Sequence, residues 1–145
     1  MSTWAEHALR TMERAGYRSS TPRAEVVAAL AELECGTSAR ELADRLRARG
    51  SGVGVASIYR TLELLDRLHL VQRFEVGEGG ARYEPAYPGG EHHHHLVCER
   101  CGNVAVFEDV ELERAIVRLS RRVDFAVDGH DVVLRGECPA CLAGR

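Results

Sequence analysis

"VASIYRTLELLDRLHL", residues 55–70, sets Ile58, Leu62, Leu65 and Leu68 on one stripe of a helix at a period near 3.6. Three helical stretches precede it. Residues 4–15 place Trp4, Ala8, Leu9, Met12 and Ala15 on a helical period. "STPRAEVVAALAEL", residues 20–33, offers Thr21 as a cap and Pro22 at the first helical position, ahead of Val26, Val27, Leu30 and Leu33. "SARELADRLRARG", residues 38–50, opens with a capping box from Ser38 to Glu41 and stops at Gly50. After the 55–68 helix, residues 70–76 and 81–84 read as two short strands around "GEGG", a hairpin. Helices followed by a two-stranded hairpin describe a winged helix-turn-helix over residues 1–84.

In that motif the second helix enters the major groove with its N-terminal end towards the base edges. The early residues of the 55–68 helix that would face outward are Ser57, Tyr59, Arg60 and Thr61. Arg60 suits guanine or phosphate, and Tyr59 a phosphate or a thymine methyl. Arg18, Arg23 and Arg82 would touch the sugar-phosphate backbone. The same side chains also suit an ordinary solvated helix face, and the residues alone leave both readings open.

"PAYPGGE", residues 85–91, gathers prolines and glycines and reads as a hinge. Beyond it, residues 92–145 predict strands at 93–97 and 104–107, a helix at about 109–122 with Leu112, Ile116 and Leu119 on its apolar face, and strands at 124–127 and 131–135. The fold class expected is therefore α+β: an N-terminal winged helix-turn-helix and a C-terminal α/β dimerisation domain. So small an α/β unit needs a metal staple and burial against a second copy.

The chain has 145 residues, 45% of them hydrophobic, enough for one ordinary domain or two small ones. All 19 basic residues are Arg, against 22 acids, and the deficit lies after residue 84. A net charge of -3 neither requires nor forbids nucleic acid. No stretch approaches a membrane span and the N-terminus is charged rather than signal-like, so a cytoplasmic location is expected. In that reducing setting, five cysteines argue for metal or redox chemistry over disulfides.

"EHHHHLVCERCG", residues 91–102, carries the chemistry. The pairs Cys98/Cys101 and Cys138/Cys141 can aim four thiolates at one ion, a closed tetrahedral zinc site suited to structure rather than catalysis. In a strand, successive side chains point to opposite faces, so His92 and His94 share one side and His93 and His95 the other. One strand can then serve two metal sites; a single site with two spare histidines is the alternative. Glu113 and His130 are candidates to complete one site and Glu84 the other. His7 and His69 read as surface or interhelical residues.

"TPRAEVVAAL", "TSARELADRL", "GVGVASIYRTLELL", "RYE", "HHHHLVCERCG" and "GHDVVLRGECPAC" together resemble the ferric uptake regulator family of bacterial metal-dependent repressors, over roughly residues 8–141. The resemblance implies an N-terminal winged helix that binds DNA and a C-terminal domain that dimerises. It implies structural Zn2+ at Cys98, Cys101, Cys138 and Cys141. It also implies an inter-domain sensory site at Glu84, His93 and His95, and a dimerisation-domain site at His92, His94, Glu113 and His130. Two positions depart from the family pattern. Iron- and peroxide-sensing members supply a His where this chain has Gly36, preceded by Cys35, which is either a substitute ligand or an apolar thiol. Zinc sensors place a Cys shortly after the wing tyrosine, where this chain has Glu84-Pro85-Ala86.

The function expected is a dimeric repressor that binds a palindromic double-stranded operator when loaded with a divalent metal. Zn2+ or Fe2+ comes first for the regulatory ion, with Mn2+ and Ni2+ compatible with nitrogen and oxygen ligands. A metal-storage or zinc-chaperone protein is the other reading from a different class. A metallohydrolase would need an open coordination position and a base, and the chain has no His-Glu-x-x-His helix.

Overall fold

A computed structural model describes residues 3–33, 36–76, 80–86 and 93–144. The chain divides into two compact units, Met1–Glu91 and His92–Arg145.

The first unit runs α1 (Thr3–Arg14), α2 (Thr21–Ala31), β1 (Thr37–Ser38), α3 (Ala39–Ala48), α4 (Val55–Arg67), β2 (Val71–Glu75) and β3 (Ala81–Pro85). It is the expected winged helix. The stripe of α4 explains its seating: Ile58, Leu62 and Leu65 are fully buried with Trp4, Val26, Val27, Leu30 and Leu42 in one core. The Trp4 indole N–H donates to the Leu70 carbonyl at 2.9 Å, tying the first helix to the start of the wing. Ser38 and Glu41 form the capping box, the Ser38 hydroxyl accepting from the Glu41 N–H at 3.1 Å.

α2 begins one residue differently from expectation. Ser20, not Thr21, is the cap: its backbone is extended and its hydroxyl accepts from the Arg23 N–H at 3.3 Å, so Thr21 is already helical. The wing sheet is ordered β1-β3-β2, all antiparallel, with Thr37 opposite Tyr83 and Phe74 opposite Arg82. β1 is two residues long, too short to leave a period in the sequence. β3 turns Ala81 and Tyr83 to the helical core, so Arg82 and Glu84 share its other face. Pro85 still pairs with Val71 and the Ala86 N–H donates to the Leu70 carbonyl at 2.9 Å, so the first residues of the expected hinge belong to the wing. Residues 87–91 of that hinge lie outside the described residues.

The second unit runs β4 (His94–Cys98), β5 (Val104–Phe107), α5 (Val110–Arg122), β6 (Val133–Gly136) and α6 (Pro139–Ala143). Its sheet is ordered β5-β4-β6, with β5 antiparallel and β6 parallel to the central β4. Asp109 caps α5 by accepting from the Leu112 N–H at 2.9 Å. The strand expected at 124–127 is absent; those residues are bends and coil. Phe125 and Val127 do alternate, but β4 is already paired on both sides, and the two residues stand 79% and 46% exposed without a ladder.

Candidate metal centres and nucleic-acid face

The four cysteines converge from both ends of the second unit. Cys98 closes β4, Gly102 takes the φ of +77° that the turn after Cys101 needs, and Cys138 and Cys141 flank the start of α6. Cys98 Sγ lies 3.8 Å from Cys141 Sγ, and Cys101 Sγ lies 3.7 Å from Cys138 Sγ. A disulfide is about 2.05 Å. A tetrahedron of sulfurs about 2.3 Å from zinc has edges of about 3.8 Å. The spacing fits the zinc geometry. The backbone N–H groups of Cys101 and Cys138 donate to Cys98 Sγ at 3.5 and 3.4 Å. Those donors, Cys101 first, hold the Cys98 thiol down at about 6, while hydrogen bonding to Cys138 and then burial push Cys141 up to about 12. The donor set is all sulfur and leaves no coordination position open.

A second cluster joins three elements of the same unit. Glu113, in the first turn of α5, places Oε1 2.6 Å from His94 Nε2 and Oε2 2.7 Å from His130 Nε2. The His94 and His130 ring centroids are 5.2 Å apart, and His94 is 1% exposed. Val132 N–H donates to His94 Nδ1 at 3.1 Å, which fixes the ring and leaves Nε2 facing the carboxylate. One carboxylate and two imidazoles with ligand atoms within 4.8 Å of one another fit a divalent cation with mixed nitrogen and oxygen ligands. The His93 and His95 rings lie 5.3 Å apart, as residues i and i+2 must, so His94 points to the opposite side. His92 and Cys35 lie outside the described residues. Glu84 stands in β3 of the first unit, on the same face as Arg82.

Position 36 is closed to a side chain. A Cβ there would come 2.7 and 2.8 Å from the Phe74 ring and 3.4 Å from Arg82 Cβ. The histidine that the iron-sensing pattern carries at this place cannot be accommodated without moving a buried phenylalanine, 4% exposed.

On the outer face of α4, Tyr59 is 48% exposed and Arg60 is exposed, its guanidinium 3.3 Å from the Ser57 hydroxyl. Gly54 leaves the helix start without a side-chain cap, and the first turn carries no acid, an electrostatic setting open to phosphate. Thr61 departs from expectation. It is 3% exposed and its hydroxyl donates to the Ser57 carbonyl at 2.8 Å, because residue 61 falls with 58, 62 and 65 on the core face. Arg18 is exposed, whereas Arg23 donates to the Arg18 carbonyl and lies 5.7 Å over the Tyr17 ring. Arg82, expected on the DNA backbone, forks onto Glu41 with two contacts of 3.0 Å and a third of 3.0 Å to the Gly36 carbonyl. Those partners are 41 and 46 residues away, so no local pattern announces them. The bond from Ser51 Oγ to Glu25 Oε2, 2.6 Å, likewise joins positions 26 residues apart that no local pattern connects.

A winged helix followed by a unit built around sulfur and imidazole-carboxylate clusters defines a metal-responsive transcriptional regulator. The chain belongs to the ferric uptake regulator family, whose model matches residues 14–135. It is 32% identical over 134 residues to the ferric uptake regulation protein of Bacillus subtilis, covering 91% of this chain and 90% of that one. It is 34% identical over 131 residues to the zinc uptake regulation protein of Mycobacterium tuberculosis, covering 90% and 98%. Among solved structures, the Helicobacter pylori ferric uptake regulator, described as having three functional metal binding sites, matches with a TM-score of 0.79 at 26% identity over 97% of this chain and 92% of that one. The Pseudomonas aeruginosa regulator with manganese matches with a TM-score of 0.78 at 28% identity over 91% and 98%. The family is one of transcriptional regulators rather than enzymes. Among the described residues no helix is long and apolar enough to cross a membrane.

Proposed function

We propose that this chain is a cytoplasmic homodimeric repressor that binds a palindromic operator when a divalent metal, Zn2+ or Fe2+ foremost, is bound. The observation that carries the reading is the convergence of Glu113 on His94 and His130, beside a four-sulfur cluster of zinc dimensions, in a chain whose other unit is a winged helix. A storage protein has no need of an exposed recognition face, and α4 presents Tyr59 and Arg60 on one.

Cys98, Cys101, Cys138 and Cys141 would hold the structural zinc. His92, His94, Glu113 and His130 would hold an ion within the dimerisation unit. Glu84, His93 and His95 would hold the regulatory ion. A divalent cation, when bound, would supply strong bonds to these nitrogen and oxygen donors. The ligand residues themselves do the conformational work: Glu84 anchors the wing, while His93 and His95 anchor the start of β4. The conformation with all three donors together is then the one favoured on loading. Ser57, Tyr59 and Arg60 would read the groove, with Arg18 and Arg23 on phosphates.

Dimerisation is supported by apolar surface that one copy leaves uncovered. No residue of α5 is buried. Val110, Val117 and Leu119 on it are 67%, 48% and 50% exposed, and Phe125 and Leu134 beyond it are 79% and 51% exposed. A two-fold dimer presents two recognition helices and so selects a palindrome.

The test is fluorescence anisotropy on a labelled palindromic promoter fragment with metal buffered at cytosolic levels, against the same mixture with chelator. Tight binding with metal and at least a tenfold loss with chelator is expected. Equal affinity in both would overturn the regulatory reading and leave storage.

A further inference from the structure

We propose that Arg82 is a positioning residue that carries the state of the regulatory site to the DNA-reading helices, rather than a phosphate contact. This rests on the regulatory reading above, with Glu84 as a ligand.

Arg82 and Glu84 are residues i and i+2 of β3, the central strand of the wing sheet, so they share a face and shift together when the strand moves. The Arg82 side chain is 22% exposed, and its two terminal nitrogens take both oxygens of Glu41 at 3.0 Å each. The first of these nitrogens also donates to the Gly36 carbonyl at 3.0 Å. A two-point fork fixes angle as well as distance, which a lysine ammonium cannot do.

Glu41 is equally committed on its other side. It is the third residue of α3 and completes that helix's capping box. Its Oε2 accepts from the Ser38 N–H at 3.4 Å, the second bond of that box, and from the Thr37 hydroxyl at 3.3 Å. One guanidinium therefore joins the strand that carries Glu84 to the start of the first helix of the helix-turn-helix. Helix α3 and α4 bury Leu42, Leu46, Ile58 and Leu62 in a shared core. Any constraint on β3 thus reaches α4 through a charge-assisted fork and a packed helix pair, both of which resist bending.

The experiment measures operator affinity with and without buffered metal for wild type, Arg82→Ala, Arg82→Lys and Glu41→Gln. Salt dependence, metal affinity and melting are recorded for each. Arg82→Ala and Glu41→Gln are expected to cut the metal-induced gain in affinity about tenfold. Regulatory-metal affinity should stay within about twofold, and the slope of log affinity against log salt should not change. Arg82→Lys should resemble Arg82→Ala, and Glu41→Gln, whose amide oxygen can still accept from the Ser38 N–H, should melt near wild type, which separates a positional role from loss of folding.

A phosphate contact predicts the opposite pattern: losses equal with and without metal, and a salt slope smaller by about 0.9. That result overturns the proposal, as does a full metal response in Arg82→Ala. A wild-type protein indifferent to metal overturns the regulatory reading and this one with it; a responsive wild type matched by Arg82→Ala overturns this one alone.

Discussion

Glu113 holds His94 with one carboxylate oxygen, at 2.6 Å, and His130 with the other, at 2.7 Å, while the rings of His93, just ahead of β4, and His95 lie 5.3 Å apart on the opposite side. Two sets of donors on one strand predict separable losses. His94→Ala and Glu113→Ala should each lower metal content by about one ion per chain and reduce melting and dimer stability, because losing one of few ligands leaves a site too weak to fill at limiting metal. His93→Ala should also remove about one ion, but its main effect should fall on metal-dependent operator binding. Metal analysis and anisotropy on the two histidine variants side by side decide it. Loss of the same ion in both would mean that the histidine run feeds one site.

The sulfur cluster predicts a pH signature in zinc-free protein. Cys98 titrates at about 6 in the folded chain against an ordinary 9.0, so its thiolate favours folding above pH 9 and that contribution disappears as pH falls through about 6. Cys141 is raised to about 12, so its thiol form favours folding below pH 9 and the contribution is lost as pH climbs through about 12. Thiolate absorbance should therefore rise in a first step near pH 6 that belongs to the cluster, and Cys98→Ser should abolish that step. In zinc-containing protein the same substitution should unfold or monomerise the second unit, since closed sites supply folding free energy. Absence of a step near pH 6 in zinc-free protein that keeps its folded circular dichroism would contradict the arrangement.

Gly36 and Phe74 make a steric prediction. Because a Cβ at 36 falls 2.7 Å from the ring, Gly36→His should destabilise the first unit by about 1–3 kcal/mol, the usual range for overpacking. Gly36→His should cost less when introduced into Phe74→Ala than into wild type, although Phe74→Ala is itself destabilising, because the space at 36 is then open. Thermal melting of the single and double variants gives the answer. A Gly36→His protein as stable as wild type would show that the loop yields freely.

What the sequence made legible was periodic or closely spaced. The α4 stripe, the Ser38–Glu41 capping box and the two Cys-x-x-Cys turns each depend on residues a few positions apart, where backbone geometry alone dictates who meets whom. Thr61 is polar, yet its angular position places it with Ile58 and Leu62 on the core face. Phe125 and Val127 alternate as a strand would, yet alternation without a partner strand makes no ladder. The Arg82–Glu41 fork and the closed space at Gly36 join segments that only the folded wing brings together, so nothing near either residue signals them.

Arg60 and Thr61 are neighbours in sequence with opposite environments, and substituting each tests the placement of the recognition helix. Arg60 is exposed, bonded only to Ser57 on its own helix among the described residues, and free to turn towards a base edge or a phosphate. Arg60→Ala should weaken operator binding by about 1–3 kcal/mol if it reads a guanine, with relaxed preference at one base pair. Dimerisation, metal content and melting should stay at wild-type values, because the side chain is exposed on the outer face of α4. Thr61 is buried and its hydroxyl satisfies the Ser57 carbonyl at 2.8 Å. Thr61→Ala should therefore lower melting by the equivalent of about 1 kcal/mol while leaving operator preference unchanged. Anisotropy on a panel of single-base operator variants, paired with thermal melts, measures both. If Thr61→Ala altered base preference and Arg60→Ala did not, α4 would face the DNA with the other side and the core assignment of Ile58, Leu62 and Leu65 would fall with it.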